Sequence, residues 1–325
     1  TQTHETDITE MVESVTWTGD ITQAYRKLDV SLVNTQDGRR IRHKIELGDE
    51  IRFFNYGKEL FRGVVFSLDI GINGKQSLTC YDYNVYLVKN EDTRKFSKVT
   101  ASQIVRRLCR DFDIPTGTIE DTGYVIPRMI FEKKTLFEMM LMALTETEKQ
   151  TGRRFFITNR QGRLELLERR KQVRQWVIEN GVNLIDAGYS LSIEDMRNQI
   201  KVIYRGEDAQ TITEIARNNR LIERYGRMQH VEEVNEEKTR SQLRQLARQL
   251  LNDLATIDDE ARITALGIDE VTAGTAIYVK ESMTGIIGGF YVSDDQHNFA
   301  NGAHGMSLTL SATDDLPRLE YEEGR

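Results

Sequence analysis

One β-strand pattern occurs twice in this chain, and no other feature constrains the fold as strongly. The first copy covers residues 48–79 and the second covers residues 274–309. Matched residues keep a spacing of 226 positions at Gly48/Gly274, Gly63/Gly289 and Ser67/Ser293. The spacing grows to 230 positions at Leu78/Leu308, as an insertion in one loop would produce. Because both copies alternate apolar and polar residues and turn on glycine, they predict two similar small β-domains.

This repeat predicts that the two β-domains superpose. The expected matches are Gly48 over Gly274, Ile51 over Ile277, Gly63 over Gly289 and Leu78 over Leu308. A slip of one residue would turn every inward side chain to the other face of its strand, so the register is a strict test. One difference between the copies is Thr275, which stands where Asp49 stands in the first. The alternative is that two unrelated antiparallel meanders share glycine turns and alternation.

The remaining segments predict a mainly β (α+β) fold with an α/β middle module and a long helix inserted in the second half. Helical spacing of apolar residues begins at Ser97, and Thr135 with Glu138 forms a capping box that starts a second helix. The long helix is predicted over residues 235–255, with Asn235 as its N-cap. The predicted domains are a first β-barrel at 1–95, the α/β module at 96–168, strands of the second β-barrel at 169–233, the helix at 234–256, the rest of the second barrel at 257–316 and a frayed acidic tail at 317–325.

Composition excludes several classes of protein. Apolar residues make up 39% of the 325 positions and no apolar run approaches the roughly 18 residues that span a bilayer, so no membrane insertion is expected. The polar N-terminus lacks the regions of a secretory signal. A net charge of −7 argues against general nucleic-acid affinity. Cys80 and Cys109 are predicted to be buried free thiols, as expected for assembly in a reducing cytosol.

The motifs of common enzymes are missing from the chain. It has no Gly-x-Ser-x-Gly elbow, no phosphate-binding Gly-rich loop with Lys and Ser/Thr, and no His-Glu-x-x-His. The best metal candidates lie in or beside one predicted hairpin loop and are Asp294, Asp295, His297 and His304. Polar residues beside a glycine turn are far commoner than metal sites. We therefore expect no catalytic residue, no metal and no cofactor.

Other charged groups favour solvated surfaces. The pairs Glu194-Asp195 and Asp258-Asp259 cannot converge on one substrate, since adjacent strand residues face opposite sides. Arg240, Arg244 and Arg248 form a basic ridge that is expected to be solvated or, alternatively, to dock an acidic neighbour. The Arg-rich segment 217–227 is interrupted by acidic residues and is a weak candidate for nucleic-acid binding.

Several segments together resemble a known family of phage proteins. They are Val15–Asp20, Leu47–Ile51, Thr100–Cys109, Thr135–Met140, Leu221–Met228, Leu243–Leu251, Ala265–Ile268, Ala273–Val279 and Gly288–Ser293. In order and spacing they resemble the XkdQ/YqbQ-like tail proteins of prophages of Gram-positive bacteria. The resemblance covers nearly the whole chain, and no single motif in it is as specific as a catalytic signature.

The resemblance implies a non-enzymatic baseplate hub of a contractile phage tail or a phage-tail-like particle. Such hubs are homotrimers in which two related β-barrels per chain form a pseudo-six-fold ring. The implied partners are the six-fold tail tube, the three-fold central spike and other baseplate proteins. Assembly in the cytoplasm of the bacterial host and incorporation into the virion or particle baseplate are implied as well.

Two functions from other classes remain as alternatives. One is a tail-associated cell-wall hydrolase, which would need converging carboxylates. The other is a carbohydrate- or receptor-binding β-module, which would need clustered exposed aromatic residues. Trp17 and Trp176 are far apart in the sequence, and this favours the structural role.

Overall fold

Antiparallel strands dominate the computed structural model of this protein, in agreement with the predicted mainly β fold class. The structure describes residues 5–205, 211–235 and 238–321. Two compact units are present: unit 1 comprises residues 1–188 and 262–325, and unit 2 comprises residues 189–261. Within the described ranges, no helix is long and apolar enough to span a lipid bilayer.

The strands and helices are numbered in chain order. The strands are β1 (Val12–Asp20), β2 (Lys27–Val33), β3 (Glu50–Asn55), β4 (Lys58–Ile70), β5 (Lys75–Asp82), β6 (Glu91–Thr100), β7 (Thr116–Ile119), β8 (Val125–Thr135), β9 (Phe155–Arg160), β10 (Arg163–Glu168), β11 (Val173–Glu179), β12 (Leu184–Ser192), β13 (Gln199–Arg205), β14 (Thr211–Arg217), β15 (Gln229–Val234), β16 (Asp258–Leu266), β17 (Ala276–Lys280), β18 (Ile287–Ala300) and β19 (Ala303–Ser311). The helices are α1 (Tyr86–Lys89), α2 (Ala101–Asp111), α3 (Leu136–Thr151), α4 (Asn219–Tyr225) and α5 (Arg240–Leu254).

Two β-domains share one order of strands. The first β-domain pairs its strands in the order β1-β2-β5-β4-β3, and the second pairs them in the order β12-β16-β19-β18-β17. Each strand therefore has a counterpart at the same place in the other domain. Strand β1 also pairs with β18, so that both domains belong to one continuous sheet. Alternation along β2 buries Leu28, Val30 and Leu32 in the core of the first β-domain.

The hydrogen-bond register repeats as well. Gly48 N donates to Val65 O (2.9 Å) and Val65 N donates to Asp49 O (3.0 Å). In the second β-domain Gly274 N donates to Val292 O and Val292 N donates to Thr275 O, at 3.0 and 2.8 Å. Both glycines have a positive φ, +92° and +96°, and a β-bulge follows Val65 and Val292 alike. The matches Gly48/Gly274, Ile51/Ile277 and Leu78/Leu308 agree with this register.

The expected match of Gly63 with Gly289 is wrong by one residue. Gly63 pairs with Ile51, whereas the partner of Ile277 is Phe290. The two glycines also differ in environment. A Cβ on Gly63 would lie 2.1 Å from Tyr81 O, but one on Gly289 would meet open space. The longer connection between β17 and β18 absorbs the extra residue, and the consecutive glycines at 288 and 289 made the sequence match ambiguous.

The α/β module packs two helices against short sheets. Strand β6 pairs with β8, and β7, β10 and β9 form a second sheet. Helix α3 begins after the predicted capping box, because the Thr135 side chain accepts from Glu138 N and the Glu138 carboxylate accepts from Thr135 N. The first predicted helix starts later than expected. Residues 97–100 end β6, and Thr100 caps α2 through Gln103.

The prediction that all strands in residues 169–233 belong to the second β-barrel is wrong for the strands of unit 2. Strands β13, β14 and β15 form a sheet of their own, in the order β14-β13-β15, instead of joining the second β-domain. Helix α5 packs Leu243 and Ala247 onto Ile200 and Val202 of β13. Its N-cap is Thr239 and not Asn235, since the Thr239 hydroxyl accepts from Gln242 N. The residues 236 and 237, which were expected to start this helix, lie outside the described residues.

The C-terminal segment is ordered up to Tyr321, which corrects the expectation of a frayed tail from residue 317. The Tyr321 hydroxyl accepts from Ile130 N at 2.8 Å, and its ring contacts Phe131 edge-on. Arg318 bonds Glu148 of α3, with Nη2 and Oε1 2.6 Å apart. These contacts hold the segment on the α/β module. The last four residues of the predicted tail lie outside the described part of the chain.

Candidate functional site

The residues singled out as metal candidates lie in strands and not in a loop. Asp294, Asp295 and His297 are in the middle of β18, and His304 is in β19; the turn between the strands is Asn301-Gly302. Asp295 and His297 are fully buried. Strands β18 and β19 extend further than the glycine pattern indicated. Asp294, Asp295, His297 and His304 therefore lie beside paired strands and not in a solvated loop.

The two histidines hydrogen-bond to each other and to the backbone. His297 Nδ1 lies 2.9 Å from His304 Nε2, and His297 Nε2 lies 2.9 Å from Val271 O. Because a carbonyl oxygen can only accept, His297 carries its proton on Nε2 and accepts from His304 Nε2–H through Nδ1. Burial lowers the pKa of His297. Burial is also the main reason that the pKa of His304 falls to about 4, and the neighbouring His297 lowers it further. Both rings are therefore neutral at physiological pH.

Arg26 completes this cluster from the first β-domain, and sequence reasoning missed it. Its Nη1 donates to Asp295 Oδ1 (2.9 Å) and its Nη2 to Asp295 Oδ2 (2.5 Å). Arg26 is 6% exposed and Asp295 is 0% exposed. The guanidinium stacks 4.0 Å from the centre of the Trp17 ring. Gly19 permits this position, because a Cβ there would lie 2.0 Å from Arg26 Nη1.

This arrangement joins the two β-domains. Arg26 N also donates to Asp82 at 2.7 Å, and burial raises the pKa of Asp82 to about 7. A buried bidentate ion pair fixes geometry, because breaking one partner leaves a charge without compensation. In the described ranges no group of three or more His, Cys, Asp or Glu is placed to hold a metal ion. The ring nitrogens and the Asp295 carboxylate instead contact protein partners.

A cavity of about 230 Å³ lies beside Arg26 and Trp17 in unit 1. Its lining mixes both signs of charge, from Arg26, Lys58, Arg160, Arg174, Glu59, Asp269 and Glu270. Lys58 and Glu270 pair with each other across 2.5 Å. A lining that carries both signs of charge does not select one class of ligand.

The two acidic pairs and the Arg ridge, which the sequence also singled out, all lie in unit 2. Glu194 and Asp195 are exposed in a bend, and Asp258 and Asp259 are exposed at the start of β16. In the Arg ridge, Arg240 Nε and Arg244 Nε bind the two oxygens of Glu214, at 2.5 and 3.2 Å. The acidic partner of these two arginines therefore belongs to the same chain. Both cysteines are buried free thiols, as predicted, and burial raises the pKa of each to about 12.

Exposed apolar side chains are concentrated on the β-domains. One group lies at the end of the β4–β5 hairpin and includes Ile70 and Ile72. A second follows β11, β12 and β17 and contains Val173, Trp176, Val177, Val182, Ile185 and Tyr278. Contiguous exposed apolar surface is typical of interaction sites, whereas single exposed apolar residues are common on any protein.

The chain matches a family model described as YQBQ-like over residues 15–311. It is 34% identical over 316 residues to the uncharacterized protein YqbQ and, likewise, to the phage-like element PBSX protein XkdQ, both of Bacillus subtilis (strain 168). Each match covers 96% of either chain.

Two solved structures share the fold. The 43 kDa tail protein of prophage MuSo2 from Shewanella oneidensis matches with a TM-score of 0.68 at 15% identity, covering 94% of this chain and 96% of the other. The E. coli c3393 protein, described as a component of the type VI secretion system with structural similarity to the T4 bacteriophage tail proteins gp27 and gp5, matches with a TM-score of 0.58 at 9% identity and covers 96% and 76%. The chain therefore belongs to the YqbQ-like family and has the fold of phage tail proteins.

Proposed function

We propose that this protein is a non-enzymatic baseplate hub, in which three chains form a ring between the six-fold tail tube and the three-fold central spike of a contractile tail. The repeated strand order of the two β-domains carries the proposal. Three chains with two equivalent domains each present six similar faces to a tube, while the assembly keeps the three-fold symmetry of a spike.

The direct pairing of the two β-domains supports the proposal. Strands β1 and β18 pair in antiparallel register from Ser14/Ala300 to Asp20/Asp294, so neighbouring domains already join edge to edge within one chain. The buried ion pair of Arg26 and Asp295 spans the same junction.

The relatives also support a role in a tail particle. XkdQ belongs to a phage-like element, and the c3393 protein is described as similar to gp27 and gp5. None of the relatives described above is named for an enzymatic activity. We assign residues 12–82 to the first tube-facing domain, the strands β12 and β16–β19 to the second, and residues 91–168 to the module between them.

Mass measurement and imaging test the proposal. Light scattering of the purified protein should give about 112 kDa for three chains of 37.5 kDa each, and in the presence of the cognate spike it should give that mass plus the mass of the bound spike. Electron microscopy should show a ring with six similar β-domains and three-fold symmetry. Deletion of the gene from a strain that produces the particle should leave tails without a baseplate. A strict dimer under every condition, or complete baseplates in the deletion strain, would contradict the proposal.

A further inference from the structure

The two β-domains are equivalent in strand order but differ in one contact. The edge of β18 that pairs with β1 corresponds to an edge of β4 with which no strand in the described part of the chain pairs. In the second β-domain, β18 pairs with β17 up to its bulge and then with β1 from Asp294 to Ala300. In the first, β4 pairs with β3 up to its bulge. Beyond Val65, no strand among the described residues pairs with the corresponding edge of β4, which continues to Ile70. This segment exposes a row of backbone groups.

Side chains beside this edge are apolar and exposed. With Val65 matched to Val292, Ile70 corresponds to His297, and Ile72 lies in the turn that follows β4. His297 is fully buried against Trp17. By contrast, Ile70 is 54% exposed and Ile72 is fully exposed. The first β-domain thus presents an apolar surface at the place where the second is covered.

The strand that would provide the cover is β12. It is the counterpart of β1, since each is the strand next to the second member of its domain, β16 or β2. Strand β1 buries alternate residues, whereas no residue of β12 is buried and Ile185 is 63% exposed. Among the described residues β12 pairs with β16 and, through an isolated bridge at Leu184, with Asn180, so its other edge is open beyond Leu184. An exposed edge strand that carries apolar side chains invites pairing with another chain.

We propose that the open edge of β4 in one chain pairs with the open edge of β12 in a second copy of this chain. The contact repeats, between chains, the pairing that β1 and β18 make within one. The two edges are different surfaces, so the contact is heterologous and runs head to tail. Its closure after three copies rests on the function proposed above, but the pairing itself follows from the internal repeat.

Two hydrogen bonds predict the register of this contact. Leu266 N donates to Asn183 O, and Gly267 N donates to His304 O, both at the ends of the ladders that connect β12 through β16 to β19. The corresponding ladder of β1 and β2 has a bulge between Val12 and Ser14, and pairing that repeats this bulge makes Tyr189 the counterpart of Trp17. The hydrogen bond from the Tyr189 hydroxyl to Asp259 Oδ2 agrees with this register, because it requires both side chains on one face of the sheet. Because Trp17 pairs with His297, the register places Tyr189 of one chain, which is 46% exposed, opposite Ile70 of the next.

Disulfide trapping tests both the partner edges and the direction. The variants Ile70→Cys and Tyr189→Cys are purified separately, oxidised alone and oxidised as an equimolar mixture. We expect a disulfide-linked dimer in the mixture and none in either variant alone, since a head-to-tail contact brings one residue of each kind together. Ile41→Cys mixed with Tyr189→Cys is the matched control, because Ile41 is exposed to nearly the same extent as Ile70 but lies outside both edges. The native cysteines are fully buried and should not react.

The double variant Ile70→Cys/Tyr189→Cys separates this proposal from the proposed function. Linked species that end at three chains support both. Linked species that grow beyond three chains support the pairing and contradict the three-fold ring. A trimer by light scattering with no cross-link in the mixture overturns the pairing and leaves the three-fold ring standing. Disulfides within the Ile70→Cys sample alone, or a monomer at every concentration with no cross-link, also overturn the pairing.

Discussion

Replacing Arg26 with methionine should destabilise unit 1 strongly, because it removes the partner of a buried carboxylate. Methionine keeps most of the aliphatic volume that packs on Trp17, so loss of the charge is the main change. Asp295 is 0% exposed and would retain Ala273 N, at 2.5 Å, as its donor. Breaking one side of a buried ion pair costs about 3–5 kcal/mol. We expect the free energy of unfolding to fall by that amount.

A second substitution tests whether the buried charge is the cause. Asp295→Asn keeps an oxygen that can accept from Ala273 N but removes the negative charge. The double variant Arg26→Met/Asp295→Asn should therefore be more stable than Arg26→Met alone, with a coupling energy of about 2 kcal/mol or more between the two sites. Lys44→Met is the surface control. It breaks an ion pair with Glu46 whose side chains are 78% and 60% exposed, and it should leave the free energy of unfolding close to that of the parent protein.

Urea unfolding followed by tryptophan fluorescence measures these differences. Trp17 is buried beside Arg26, whereas Trp176 is 43% exposed. A Trp176→Phe background leaves Trp17 as the only reporter, so the signal follows the region of the ion pair. A loss below about 1 kcal/mol in Arg26→Met would refute the reasoning, as would single substitutions whose costs simply add in the double variant.

Four further substitutions test other features of unit 1. Arg169 is buried, its Nε and Nη1 have no hydrogen-bond partner among the described residues, and burial lowers its pKa to about 10. Arg169→Met should therefore unfold at the same or a higher temperature in calorimetry, because it removes a buried charge whose hydrogen bonding within the described residues is incomplete. Arg154→Met loses ion pairs and should unfold at a lower temperature, and the reverse order of the two variants would contradict this reasoning. The raised pKa of Asp82 means that its contribution to stability is complete below pH 4 and is lost as pH rises to about 7. Asp82→Asn should therefore gain stability relative to the parent protein over that range, and a constant difference in urea titrations would count against it. Thr135→Ala removes the N-cap of α3 and should cost about 1 kcal/mol, while an unchanged unfolding midpoint would show that the cap is dispensable.

Local signals were the ones that sequence reasoning predicted well. The capping box of Thr135 and Glu138 involves residues three positions apart, and the repeat of Gly48 at Gly274 reflects a backbone conformation that glycine adopts easily. The register of β18 was predicted wrongly because consecutive glycines fit two alignments equally well, and only interstrand hydrogen bonds distinguish them.

Long-range contacts could not be predicted in the same way. Arg26 and Asp295 are far apart in the chain, and nothing in the residues around either one identifies the other. One signal was present: Asp295 and His297 lie two positions apart in a strand, so they share a face and need polar partners if that face is buried. The separate sheet of unit 2 was missed because its strands alternate just as the strands of a barrel do.

The position of unit 2 in the chain has a consequence for symmetry. In the first β-domain, residues 21–26 connect β1 to β2; in the second, residues 193–257 connect their counterparts β12 and β16 and contain the whole of β13–β15 and α5. An insertion between two hydrogen-bonded neighbours leaves the order of the strands unchanged. A ring of such chains would therefore keep near-identical strand frameworks at every position while carrying an appendage at every second one. This single insertion would thus distinguish alternate positions of the ring. Partners that bind the shared strand framework would meet six similar sites, and partners that bind the insertion would meet three.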